Sequence, residues 1–300
     1  MAGCNCNMGL SNTGRPNCVA IQSVTARLIM VPLIAKDGTA NNIPLTGTLP
    51  VWSTLINQAD ATKRWFPLPQ FENVELPKAE TKFEEANSGR MVFLRQGKRS
   101  FAGELWAEDS TPTFLGKLQN NRCVDFGVYI VDVNGNLIGS KLNGALYPIP
   151  VDNPSFDPKF MFATDSTTQK IMVGFDFDRL FDESTMYMIT ATEAGLDFNT
   201  LTGLLDVNLT NISSTSTTRV FSAALDYGTA LNPIKFTGGL AADFSLFNNT
   251  LNAIVPITTI VENAAIAGQY TLTAAAFTVG SSYTIKVIRV GYTGSYTFTA

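Results

Sequence analysis

Among its 300 residues the chain has no histidine. That excludes Ser-His-Asp triads, histidine-containing zinc sites and imidazole pH switches, a large share of common enzyme chemistry. Cysteine is scarce as well: Cys4, Cys6, Cys18 and Cys123 are the complete set. The Cys4-x-Cys6 spacing is tighter than the usual C-x₂₋₄-C of thiolate metal sites, and a fourth ligand would have to come from Cys123 or an acid. Reduced thiols without a metal are the expectation. No apolar run approaches the roughly 18 residues that a membrane-crossing helix needs. Met1-Ala2-Gly3-Cys4 resembles a lipoprotein cleavage site, yet neither a basic segment nor an apolar run precedes it, so a product made in the cytoplasm is expected. Excess positive charge is also missing. The formal net charge is −4 and the isoelectric point about 5.0, so no global field draws the chain to nucleic acid or to a lipid surface.

What is present is β-structure. Hydrophobic residues make up 45% of the chain and mean hydropathy is +0.11, enough for a substantial core. Short runs of Leu, Val, Thr and Phe are broken by Asp37-Gly38, Asn134-Gly135, Gly238-Gly239 and proline, the punctuation of strands and turns. Residues 1–17 are small and polar and read as a flexible arm. Cys18 to Leu33 reads as the first core strand, alternating only in part. Trp52, Leu55, Ile56 and Ala59 stand at helical spacing, which predicts a short helix over Val51 to Ala59. Thr111-Pro112 predicts the capped start of a second helix through Leu118.

Gly89 to Trp106 reads as one hairpin turning at Gln96-Gly97, with Val92, Leu94, Phe101 and Leu105 making a stem apolar enough to bury. At about 3.3 Å per residue its arms reach roughly 20 Å, enough to meet a neighbouring subunit. Arg90, Arg95, Lys98 and Arg99 crowd it, and the acids Glu72, Glu84 and Glu85 stand nearby in sequence. These seven are the candidate subunit-interface residues, base of one copy against acid of the next. No catalytic residue, metal ligand or cofactor is predicted. Cys123 to Gly139 reads as a second hairpin through Asn134-Gly135. The Asp132/Asn134/Asn136 spacing resembles the start of a calcium loop, but the closing glutamate is absent and a plain turn is expected. Asp176 and Asp178 read as the outward face of a half-exposed strand.

From Val207 onward only Arg219, Asp226, Lys235, Asp243, Glu262, Lys286 and Arg289 carry charge, and Thr, Ala, Ser and Asn fill the rest. This shift predicts a boundary between residues 1–206 and 207–300. Seven β-runs follow, from Thr217 to Thr299, with turns every 8 to 12 residues, as in an immunoglobulin-like sandwich. The expected fold is therefore mainly β: a barrel-like or sandwich-like N-terminal domain with one or two short helices, then an Ig-like β-sandwich.

Two resemblances extend this reading. Leu240 to Leu246, Ile257 to Glu262, Gly268 to Thr273 and Gly291 to Phe298 resemble the Ig-like modules appended to phage virion proteins and bacterial surface proteins. Gly9 to Cys18, Phe83 to Arg90 and Gly97 to Leu105 are similar to structural proteins of crAss-like phages of gut Bacteroidales, a resemblance running through most of residues 9 to 235. It implies a neck or tail ring, or a tail-tube-like subunit, located in the virion and made in the bacterial host cytoplasm. Its partners would be other copies of itself, neighbouring head-to-tail proteins, and double-stranded DNA passing without sequence-specific contact. The alternatives are a capsid decoration or head fibre protein, and a carbohydrate-binding adhesin using Tyr270, Tyr283, Tyr292 and Tyr296. An enzyme is not expected.

Overall fold

The computed structural model describes Gly14, residues 19–229 and residues 231–300. The 1–17 arm, Gly14 apart, and the thiols of Cys4, Cys6 and Cys18 lie outside the described residues. The chain is mainly β, and the described residues include three short α-helices: α1 (Trp52–Ile56), α2 (Pro112–Asn120) and α3 (Ala191–Ala194).

The first sheet runs in the order β2 (Ile43–Pro44), β10 (Ala145–Tyr147), β9 (Leu137–Leu142), β8 (Phe126–Asp132), β1 (Thr25–Pro32), β3 (Phe66–Pro67). Two further strands attach to it, β11 (Ile149–Pro150) on β8 and β14 (Met186–Ile189) on β9. A second sheet has the order β12 (Lys159–Met161), β13 (Lys170–Asp176), β7 (Ser100–Trp106), β4 (Glu72–Glu75). β1 and β8 are buried at every position because the first sheet is covered on both faces. Leu28, Met30, Val128 and Ile130 pack with Phe101, Leu105, Ile171 and Val173 of the second sheet. Ile29, Val31, Tyr129 and Val131 pack with Trp52 and Ile56 of α1, and with Trp65 and Phe198. A strand buried on both faces loses the apolar–polar alternation, which is why the first core strand alternates only in part.

Thr111 caps α2 as its sequence predicts, accepting a bond from the Phe114 N–H with Pro112 in the first turn. α1 is shorter than its periodicity, because Asn57 leaves helical geometry and its side-chain amide donates to the Ser53 carbonyl, closing the last turn. The Asn134-Gly135 turn joins β8 to β9, with Gly135 at φ 74°. Asp132 organises that turn from full burial: its carboxylate accepts from the backbone N–H groups of Ser23, Asn134 and Asn136 and from the Asn136 amide. A carboxylate so supplied with donors completes a turn, and no calcium loop is formed.

A third core is built only from residues after 206 and lies inside a sandwich. One of its sheets has the order β15 (Leu205–Ser214), β16 (Thr218–Gly228), β21 (Gln269–Ala274), β20 (Ile257–Glu262), with β17 (Pro233–Lys235) added on β16. The other has β19 (Ala253–Val255), β18 (Phe244–Asn248), β22 (Ser282–Arg289), β23 (Tyr292–Thr299). These are the orders A-B-E-D and C′-C-F-G of an immunoglobulin-like sandwich. Tyr283, at the start of the F-like strand, accepts from the Thr278 N–H at 2.9 Å, the tyrosine corner of such domains. With no disulfide between the sheets, Phe221, Phe244 and Tyr270 fill the centre at ring separations of 5.3 to 6.0 Å. β15 belongs to both sheets, pairing parallel with β23 at Leu205–Asp206 and antiparallel with β16 from Val207.

Candidate functional site

The hairpin expected at Gly89 to Trp106 is a different and longer one. β7 pairs with β4 (Glu72↔Glu104, Glu75↔Ala102), Lys78 bridges Arg99, and β5 (Lys82–Glu85) pairs with β6 (Met91–Arg95). One continuous ribbon therefore runs from Glu72 to Trp106 and turns at Asn87-Ser88-Gly89. The Ala86 N–H donates to the Arg90 carbonyl there, and Gly89 takes φ 78°. Such a three-residue loop needs its glycine in the left-handed region. Gln96-Gly97 is a crossing point and no turn. Gly97 lacks a positive φ, and a Cβ on it would lie 1.6 Å from the Ala79 carbonyl oxygen, so glycine is required there by a close approach of backbones.

Past this crossing, none of the described residues covers the ribbon. Every residue of β5 and β6 is exposed, including Phe83 at 52%, Met91 at 58%, Phe93 at 58% and Leu94 at 53%. The stem expected to bury Val92 and Leu94 thus presents them to solvent, whereas Phe101 and Leu105, beyond the crossing, are buried. Phe83 and Phe93 meet edge to face across the strands at 5.9 Å. Both faces carry apolar groups, and a two-stranded ribbon alone is marginal in water. From the crossing to the turn the arm is about eight residues, roughly 25 Å.

The predicted interface residues fall into two groups. Arg90 at the tip, and Arg95, Glu84 and Glu85 on the strands, belong to the exposed ribbon, and Lys82 joins them opposite Arg95. Among the described residues none of these five makes an ion pair, and Lys82 against Arg95 sets like charges face to face. Lys98 and Arg99 sit at the root and are engaged within the chain. Lys98 reaches Asp176 at 2.5 Å and Asp152 at 3.6 Å, and Arg99 reaches Glu183 at 2.8 Å, where Lys78 joins at 2.7 Å. The Arg99 bond, then that of Lys78, holds the Glu183 carboxyl below its ordinary range. Burial pushes the Asp176 carboxyl up, but Lys98 and Ser100 outweigh it and the net shift is downward. Glu72 lies on β4, exposed and opposite Glu104. The fold therefore brings these seven together along one ribbon, with Lys98 and Arg99 paired at its root, whereas among the described residues Glu72 and the distal charges make no ion pair. The signal for the distal part was Met91-Val92-Phe93-Leu94, an apolar run on both faces of a strand that pairs on one side only.

Other candidates are accounted for elsewhere. Tyr270 and Tyr283 are core residues at 0% and 3% exposure, and Tyr292 and Tyr296 are half-buried. Cys123 is an exposed free thiol. Among the described residues no group of acids and cysteines has the arrangement of a metal site, and no helix is long and apolar enough to cross a membrane.

No protein-family model matches the chain, and no curated protein matches it either. Among solved structures, the full Ig1–Ig3 ectodomain of mouse nectin-like molecule 4 aligns over 93% of this chain and 94% of that one, at 7% identity and a TM-score of 0.18. A likeness that weak carries no argument, and the Ig-like assignment stands on strand order and on the Tyr283 corner.

Proposed function

We propose that the chain is a structural subunit of a phage virion, one copy of a homo-oligomeric ring in the neck or tail around the DNA channel. The observation that carries this reading is the distal ribbon. Its apolar side chains Phe83, Met91, Val92, Phe93 and Leu94 are each about half exposed on one projecting element, and apolar groups concentrated in this way mark interaction sites. Among the described residues its acids and bases make no ion pair, and an acid from a second copy beside Lys82 and Arg95 would relieve their like-charge opposition. Exposed pairs are worth at most about 1 kcal/mol each, but a closed ring repeats every contact once per subunit. The small net charge of −4 suits a channel that lets DNA pass without gripping its phosphates. The adhesin alternative loses two of its four tyrosines to the sandwich core.

Negative-stain images and light scattering of the full chain test this reading. Rings are expected for the parent. The pair Phe83→Ser and Phe93→Ser should abolish them, as should Arg90→Glu with Arg95→Glu, without lowering the melting temperature of the subunit. Glu84→Lys with Glu85→Lys should partly restore assembly to the arginine variant. A parent that stays monomeric at high concentration and low salt would remove the proposal, as would variants that assemble like the parent.

A further inference from the structure

The Ig-like unit is joined to the rest of the chain by Thr202-Gly203-Leu204, and the side-chain bonds across the junction are few. Among the described residues, Lys117 of α2 is the only side chain that forms ion pairs across it. Its ammonium lies 2.6 Å from Asp206 at the start of β15 and 3.0 Å from Asp226 on β16. The Asn57 side-chain oxygen adds one bond, accepting from the Gly291 N–H at 3.2 Å. Between these two points lies a cleft of about 670 Å³, lined from one side by Gln58 and Arg64 and from the other by Asn208, Lys286 and Arg289. The cores on either side are separate clusters of residues.

We infer that Lys117 is a latch that fixes the orientation of the Ig-like unit, and that releasing it lets the unit swing about residues 202–204 and opens the cleft. β15 and β16 are neighbouring strands in which Val207 stands opposite Leu225, so Asp206 and Asp226 are adjacent carboxylates. Without a cation between them they repel one another, and among the described residues no other side chain of the first unit forms an ion pair with either, Arg64 acting on Asp206 only at longer range. Asp226 keeps only the Asn208 amide on its own sheet. The ammonium of Lys117 also lies 5.3 Å from the centre of the Tyr227 ring, so one side chain collects three groups of the Ig-like unit. A thin, polar junction of this kind leaves relative motion as the default, and a solvent-accessible ion pair at its hinge is screened by salt.

Spin-label distances across the junction test this, using the full chain with its four cysteines changed to serine and labels placed at Ser166 and Thr250. A single narrow distance is expected at low salt, broadening as salt is raised. Lys117→Met keeps the packing stem without the charge, and should lose the narrow distance at every salt concentration. Lys117→Arg should keep it at low salt. If Lys117→Met retains the narrow distance, the junction is held by packing and the latch is wrong. Near-ultraviolet circular dichroism of the same sample separates swinging from unfolding: an unchanged signal with a broadened distance supports the latch, and a collapsed signal overturns it by making Lys117 a folding requirement.

Discussion

Two hairpins of similar length stand in opposite circumstances. β8–β9 and β5–β6 are both antiparallel, and each turns on a glycine of positive φ, Gly135 and Gly89. All seven residues of β8 are buried between two layers, whereas all nine of β5 and β6 are exposed. A turn sets register, but the faces supply the stability. The first hairpin is therefore committed to its own core. The second leaves its apolar surface exposed to solvent.

Truncations on each side measure that contrast, beginning with the largest effect. Tyr129→Ala empties a fully buried site whose ring lies 5.1 Å from Trp65 and whose hydroxyl donates to the Leu146 carbonyl. Urea denaturation should show a loss of about 3–5 kcal/mol. Asp132→Ala strands the donors of the β8–β9 turn and should cost about 2–3 kcal/mol by the same measurement. At the ribbon's root, Glu183→Gln should cost about 1 kcal/mol at neutral pH. Because Arg99 and Lys78 lower the Glu183 pKa, its stabilisation is complete above the unfolded value of about 4.3 and is lost as pH falls through the lower native value. Parent and variant stability curves should therefore converge in acid, and parallel curves down to the acid limit would show that the pairing carries no linkage. Phe93→Ala, the smallest change, should shift the subunit's stability by less than about 0.5 kcal/mol. A loss there as large as that of Tyr129→Ala would mean that the ribbon packs within its own chain, and the contrast would collapse.

Local signals were legible in the sequence wherever a few adjacent residues decide the outcome. The Thr111-Pro112 cap and the Asn134-Gly135 turn are of this kind, and so are the β-runs after residue 217, which fall on strands β16 to β23. Gly97 misled because a glycine needed for close approach looks, in sequence, like one needed for positive φ. The long ribbon depends on pairing Glu72 with Glu104 and β7 with β13, contacts that no short window contains. β15 was hidden because its second half, Thr210 to Ser214, is exposed and, apart from Ile212, polar, although it pairs along most of its length. The division of the seven interface candidates was also illegible, since the partners of Lys98 and Arg99 at Asp176 and Glu183 lie 78 and 84 residues away. Charge reversal at Lys98 and Arg99 would consequently set acid against acid at the root, damaging the subunit itself.

The parallel pairing of β15 with β23 gives the Ig-like unit a mechanical character. A pull between the 202–204 link and the far end of β23 draws these two strands in opposite directions along their length. The Leu205 N–H to Gly291 carbonyl bond and the Leu205–Asp206 ladder to Tyr292–Thr293 then bear load together in shear, where an antiparallel pair pulled from one end would unzip bond by bond. Tension therefore meets the sandwich at the strand shared by both sheets, and rupture there requires several bonds to fail at once.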